Sequence, residues 1–165
     1  METTRETERL PRLRILLSEA RLRSGAEAGT VFVREGDRLC FAISENDVLT
    51  ERFGEELAQA RLTGEPLSLE VRSIASFAVL TRSVVNIPDV YAIPPGRPYA
   101  FNPRFDVKNG YRTCSVLAAP LRDGRGSVFG VLQLINRRLA QGTVVPFDAA
   151  SEAAVRRLVE RWDRA

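Results

Sequence analysis

Apolar residues recur at helical spacing near both ends of the chain and cluster as strands between them. From 5 to 23, Leu10, Leu13, Leu17 and Ala20 repeat three or four positions apart, with Ile15, Leu16 and Leu22 beside them and Arg and Glu on the other face. That spacing predicts a helix. Pro11 sits near its start, where a first turn tolerates proline, and Gly25 and Gly29 break it. Thr30–Val33 and Arg38–Ile43 flank the turn signal Glu35-Gly36-Asp37 and predict a β-hairpin. Phe53, Leu57 and Leu62 predict a helix over 50–62, ended by Gly64 and Pro66. Ser73 caps a further helix to Arg82, with Ile74, Phe77, Ala78 and Leu80 as its apolar face. Val84–Ile87 reads as a short strand stopped by Pro88. Thr113–Leu121 and Ser127–Asn136 form a second hairpin about Asp123–Gly126. A closing helix spans 147–164, with Ala150, Ala153, Ala154, Leu158 and Trp162 on its apolar side.

The stretch from Asp89 to Gly110 fits neither period. It holds Pro94, Pro95, Pro98 and Pro103, which suit no helix interior or central strand. It also holds Tyr91, Tyr99, Phe101 and Phe105, too many aromatics for a free linker. A stiff aromatic loop of this length packs on something or covers a site. Strands joined by tight turns imply an antiparallel sheet, and helices bracket it: an α/β fold of the α+β type, read as one domain over 1–165 with its core at 13–163.

Composition narrows the chemistry. The chain has no histidine, which excludes Ser-His-Asp and Cys-His catalytic units and imidazole-ligated metals. Cys40 and Cys114 are too few and too far apart for a Cys₄ zinc site or a disulfide framework. No metal or cofactor is expected. The net charge is +3, and Lys108 is the only lysine. So lopsided an arginine usage fits a GC-rich, bacterial codon bias. The arginines are interleaved with Glu and Asp without a basic stripe, which disfavours nucleic acid. No run reaches the roughly 18 apolar residues of a membrane span. The charged start, Met1–Arg9, is unlike a signal peptide, so the expected location is the cytoplasm.

Asn86-Ile87-Pro88-Asp89-Val90-Tyr91, Asn102–Asp106, Lys108–Thr113, Ser115–Leu121 and Gly130–Arg137 follow one another in an order and spacing that resemble GAF domains. The likeness is greatest to the regulatory GAF domains of cyclic-nucleotide phosphodiesterases and cyclase-linked sensors. It implies a six-stranded antiparallel sheet with helices on both faces. The terminal helices lie on one face, commonly as a dimer bundle, and a ligand pocket lies on the other, under the middle helices and the long loop. Carried over position by position, it implies ligand contacts at Thr30, Ile74, Ala75, Ser76, Asp89, Tyr91, Phe105, Asp106, Tyr111, Thr113 and Gln133. A helix start offers N–H groups to an anion, and aromatic and amide side chains can stack and read a base.

The pattern departs at several positions. The Lys–Asp pair that braces the cyclic-nucleotide signature is Arg137 and Ser151 here, which leaves Asp148 or Glu152 as partner to Arg137. Ser73 and Ser76 replace small glycines, so the Ser76 hydroxymethyl narrows a phosphate cradle. Asn86–Asp89 has a purely structural reading as well, with Ile87 in the core and Asp89 capping a turn. The function expected is a non-catalytic small-molecule sensor in signal transduction, with a cyclic nucleotide as candidate ligand. It would form a homodimer and act through a separate output protein. The alternative is a ligand-free dimerisation or interaction module. Some small GAF proteins reduce free methionine sulfoxide, but Cys40 and Cys114 do not reproduce their cysteine arrangement.

Overall fold

A computed structural model describes the backbone of residues 2–163 and the side chains of residues 8–162. Arg164, the last residue of the predicted closing helix, lies outside the described residues. The elements run α1 (Glu2–Ser24), β1 (Ala26–Glu35), β2 (Arg38–Asn46), α2 (Asp47–Phe53), α3 (Glu55–Leu62), β3 (Leu67–Ser68), α4 (Ile74–Thr81), β4 (Val85–Ile87), a 3-10 turn (Val90–Ala92), α5 (Arg104–Asn109), β5 (Val116–Arg122), β6 (Val128–Arg138), β7 (Val144–Val145) and α6 (Ala149–Asp163). The sheet order is β3-β2-β1-β6-β5-β4, antiparallel throughout, with β7 added to the end of β6. The expected six-stranded path is therefore present.

β1 lies at the centre and is covered on both faces. Its residues from Ala26 to Phe32 are all buried, so the strand reads as an unbroken run rather than an alternation. One face carries α1 and α6. Leu13, Leu16, Leu17 and Ala20 of α1 and Val155, Leu158 and Val159 of α6 pack there on Val31, Leu117, Leu132 and Leu134. Gly29 is in β1 instead of breaking the preceding helix, because α1 comes very close: a Cβ at Gly29 would stand 2.7 Å from Leu17 Cδ1. The predicted stripe on α1 thus divides. Leu13, Leu17 and Ala20 are core, whereas Leu10, Ile15 and Leu22 are exposed.

Other boundaries also differ. The helix predicted over 50–62 is two helices, because Gly54 at φ +80° caps both the end of α2 and the start of α3. Pro11 lies inside α1 and not at its start; it is exposed there, where water can take the carbonyl its ring leaves unpaired. The closing helix begins at Ala149, and Phe147 is a buried residue ahead of it. Strand β5 starts at Val116, not Thr113.

Candidate functional site

The second face of the sheet carries α2 to α5 and the segment expected to be a loop. Residues opposite one another on neighbouring strands share a face. Ser44, Thr30, Gln133, Ala118 and Val85 make one such row across β2, β1, β6, β5 and β4. The rows on either side are mostly apolar: Phe41, Phe32 and Val131 on one, Ala28, Ile135, Val116 and Ile87 on the other. The polar atoms of this row sit in an otherwise hydrophobic setting. Thr30 and Ser44 satisfy each other at 2.9 Å. Gln133 is half-buried; its amide bonds no group of the described residues and reaches solvent.

Above this row stands α4. The Ser73 side chain accepts from Ser76 N at 3.1 Å, and the two hydroxyls bond at 2.7 Å. Ile74, Ala75 and Ser76 are all buried at this helix start. The Ser76 hydroxyl also donates to the Ser68 carbonyl at 3.3 Å, so it occupies space that a glycine would leave open. Tyr99 packs on Phe77 with ring centres 5.0 Å apart, and Ala100 N donates to the Arg72 carbonyl at 2.7 Å. These contacts hold residues 99 and 100 against the start of α4.

The segment 89–113 is more ordered than its prolines suggest. Asp89 caps the 3-10 turn, accepting from Tyr91 N at 3.0 Å. Arg104–Asn109 is helix α5, which sequence reasoning placed in the loop. Pro103 stands immediately before it, where its missing N–H costs nothing. Asp106 is buried and takes three donors: Tyr91 OH at 2.5 Å, Thr113 N at 2.8 Å and Thr113 Oγ1 at 2.8 Å. The bond to Asp106 is also the main cause that raises the Tyr91 phenol pKa. The Tyr91 ring meets the edge of Phe101 at 5.1 Å and lies under the Arg112 guanidinium at 4.3 Å. Tyr91, Asp106 and Thr113, three of the expected contacts, therefore hold one another. Phe105 and Tyr111 form an edge pair at 6.1 Å within a separate small core beneath α2 and α3.

A buried polar cluster was missed by the sequence reading. Glu27, only 6% exposed, accepts from the Tyr111 hydroxyl and, at 3.2 Å, from Asn136 Nδ2. Asn136 sits in the left-handed region at φ +58° and also joins the Cys114 amide and the Arg112 carbonyl. Burial first, then the bond to Glu27, pushes the Tyr111 phenol far up, so it remains a donor. Arg138 lies 3.7 Å from the other Glu27 oxygen. These partners are 84 and 109 residues away from Glu27 along the chain, so no local spacing announces them. A cleft of about 500 Å³ opens beside Glu27, lined by Arg21, Glu45, Asp47 and Arg138; none of the expected ligand residues borders it.

The motif residues outside the pocket brace the fold. Asn86 Nδ2 donates to the Phe147 carbonyl at 3.0 Å and to Glu152 at 2.9 Å, tying β4 to the start of α6. Arg137 pairs with Asp148 at 3.1 Å, one of the two partners its sequence left open. Cys40 lies near the hairpin end of β2, whereas Cys114 bonds Asn136 near the far end of β6. Among the described residues no group of three His, Cys, Asp or Glu side chains could hold a metal.

A family model for the GAF domain matches residues 8–161. The chain belongs to the GAF family. A cGMP-specific 3',5'-cyclic phosphodiesterase from Drosophila sechellia is 26% identical over 124 residues, which cover 74% of this chain and 10% of that protein. The chain thus spans about a tenth of the length of such relatives. Among solved structures, a GAF domain/HD domain protein from Geobacter sulfurreducens is similar with a TM-score of 0.65 and 18% identity, covering 92% of this chain and 87% of that one. A type II free methionine-R-sulfoxide reductase from Thermoplasma acidophilum is similar with a TM-score of 0.58 and 16% identity, covering 93% and 89%. A free methionine-R-sulfoxide reductase thus shares this fold. No helix of the described residues is long and apolar enough to cross a membrane.

Proposed function

We propose that this GAF domain is a non-catalytic sensor that binds a small polar molecule between the sheet and α4, with a cyclic nucleotide as the candidate. The observation that supports it is Gln133. Its amide stands on a largely apolar face, bonds no described residue and is open to solvent, so its donors and acceptor are free for a ligand. Thr30 and Ser44 stand beside it as a second donor–acceptor pair. Together they offer edge recognition to a heterocycle under α4. The 89–110 segment acts as the lid, since its contacts at Tyr99 and Ala100 lie directly at the start of α4. In this reading the domain works in the cytoplasm, as a homodimer, and its output lies on another chain. Ile15 and Leu22, one heptad apart, and Leu10 are exposed apolar residues of α1 left for the dimer seam.

The second reading, a ligand-free interaction module, draws support from the closed Tyr91–Asp106–Thr113 bonds. Native mass spectrometry of protein purified from its own host separates the two. A co-purifying small molecule, lost in Gln133→Leu, supports the sensor; a bare mass favours the module. The non-catalytic part is tested apart from this. Turnover of free methionine sulfoxide that disappears in Cys40→Ser or Cys114→Ser would overturn it. Burial raises the Cys40 thiol pKa, which disfavours the reactive thiolate.

A further inference from the structure

We propose that the groove between the C-terminal half of α1 and α6 docks an acidic segment of a separate protein, gripped by Arg23, Arg157 and Arg161. This rests on the reading that the output lies on another chain. A cleft of about 320 Å³ is lined by Arg23, Ala154, Arg157, Glu160 and Arg161. The three arginines converge from two helices on one concavity. None of them forms an ion pair or hydrogen bond among the described residues. Some arginines of the domain are neutralised, Arg21 by Glu45 and Asp47, Arg137 by Asp148 and Arg156 by Glu152. Arg14, Arg72, Arg97, Arg104 and Arg125 are also without an ion pair among the described residues but do not line this cleft. The helix macrodipole favours cations in a last turn, which accounts for Arg23 in α1 and Arg161 in α6. It does not account for Arg157, one turn earlier on the same side of α6.

A planar guanidinium presents paired N–H donors that match a carboxylate in bidentate fashion. Three such groups around one cleft suit neighbouring Asp or Glu side chains. No aromatic lines the groove to stack a base, which sets it apart from a single-strand nucleic-acid site. A second copy using the same face would bring three arginines and only one carboxylate, Glu160, so a different chain richer in Asp and Glu suits the groove better. The groove lies away from Gln133 and α4, which leaves the ligand face free while a partner is docked.

The test is titration of the full chain with a hexaglutamate peptide, followed by calorimetry and backbone amide shifts. Binding should weaken about tenfold in Arg157→Glu/Arg161→Glu. It should stay unchanged in Arg125→Glu, a control on the exposed β5–β6 turn. Amide shifts should centre on residues 23, 154, 157 and 161. Circular dichroism should show every variant folded, and Arg157→Gln/Arg161→Gln replaces the reversal if it is not. Absence of binding, or equal loss in Arg125→Glu, would overturn the site. Tighter binding of duplex DNA or of phosphatidylserine vesicles through the same arginines would overturn the class of partner. None of these readouts depends on a small molecule at Gln133, so failure of the sensor reading is seen separately.

Discussion

The two faces of the sheet are built on different terms. Under α1 and α6 the packing is mostly apolar: Leu13 and Leu17 meet Val31, Leu132 and Leu134, and among the described residues the Trp162 indole N–H is the one buried side-chain donor left without a partner. Under α2 to α5 the apolar packing is interrupted by Thr30, Ser44, Gln133, Asp106 and the Glu27–Tyr111–Asn136 cluster. The first face is held by area removed from water, which is non-directional. The second depends on hydrogen bonds that must be geometrically right, because an unmade buried bond costs more than a made one contributes. A face that keeps polar groups at such a cost is the place to look for recognition.

The largest effect should come from the apolar face. Leu17→Asp places a charge in a fully buried position and should leave the chain unfolded by circular dichroism. Leu17→Ala should lower unfolding free energy by about 2–5 kcal/mol in a urea titration. A folded Leu17→Asp dimer would mean that α1 serves chiefly as an intermolecular seam and that this face is not the core.

Next comes the polar cluster. Tyr111→Phe removes one donor to Glu27 and one acceptor for Asn136, and should cost about 1–3 kcal/mol by the same titration. A neutral result would mean that Glu27 is hydrated from the adjoining cleft.

A smaller effect is expected from the brace between β4 and α6. The Asn86 amide first, then Arg156, holds the Glu152 carboxyl below its ordinary 4.5. A carboxyl depressed by folding contributes stability above its unfolded value and loses it as pH falls through the folded one. Glu152→Gln should therefore be less stable than wild type at pH 7 by under about 1 kcal/mol, since a partly exposed pair contributes little. That gap should close on acidification below 4.5. A gap constant with pH would assign the loss to packing.

How much of this was legible follows the same division. The terminal helices and both hairpins were visible because their apolar spacing repeats locally, as in Leu13-Leu16-Leu17-Ala20. The split at Gly54 was not, since apolar positions 53, 57 and 62 lie on both sides of it and read as one helix, although Leu57 proves exposed and of the three only Leu62 is buried. Helix α5 was hidden by its neighbours, four prolines that read as loop although only Pro103 touches the helix start. Among the candidate contacts, Asp106, Tyr91 and Thr113 do come together, but they bond one another. Thr30 and Gln133 do share a face, as β1 pairs with β6. Glu27 was invisible, because a single acid between small residues gains meaning only when Tyr111 and Asn136 arrive from the far end of the chain.

The most direct measurement is calorimetry with cyclic GMP and cyclic AMP on wild type and on Gln133→Leu, with unfolding free energy recorded for both. Stability should change by less than about 0.5 kcal/mol, since this amide bonds no described residue. Wild type should bind one of the two nucleotides, and Gln133→Leu should bind it at least about tenfold more weakly, about 1.4 kcal/mol. Equal affinity in both proteins, or no heat from either nucleotide with a clear loss of stability in Gln133→Leu, would make Gln133 a structural residue and contradict a recognition face under α4.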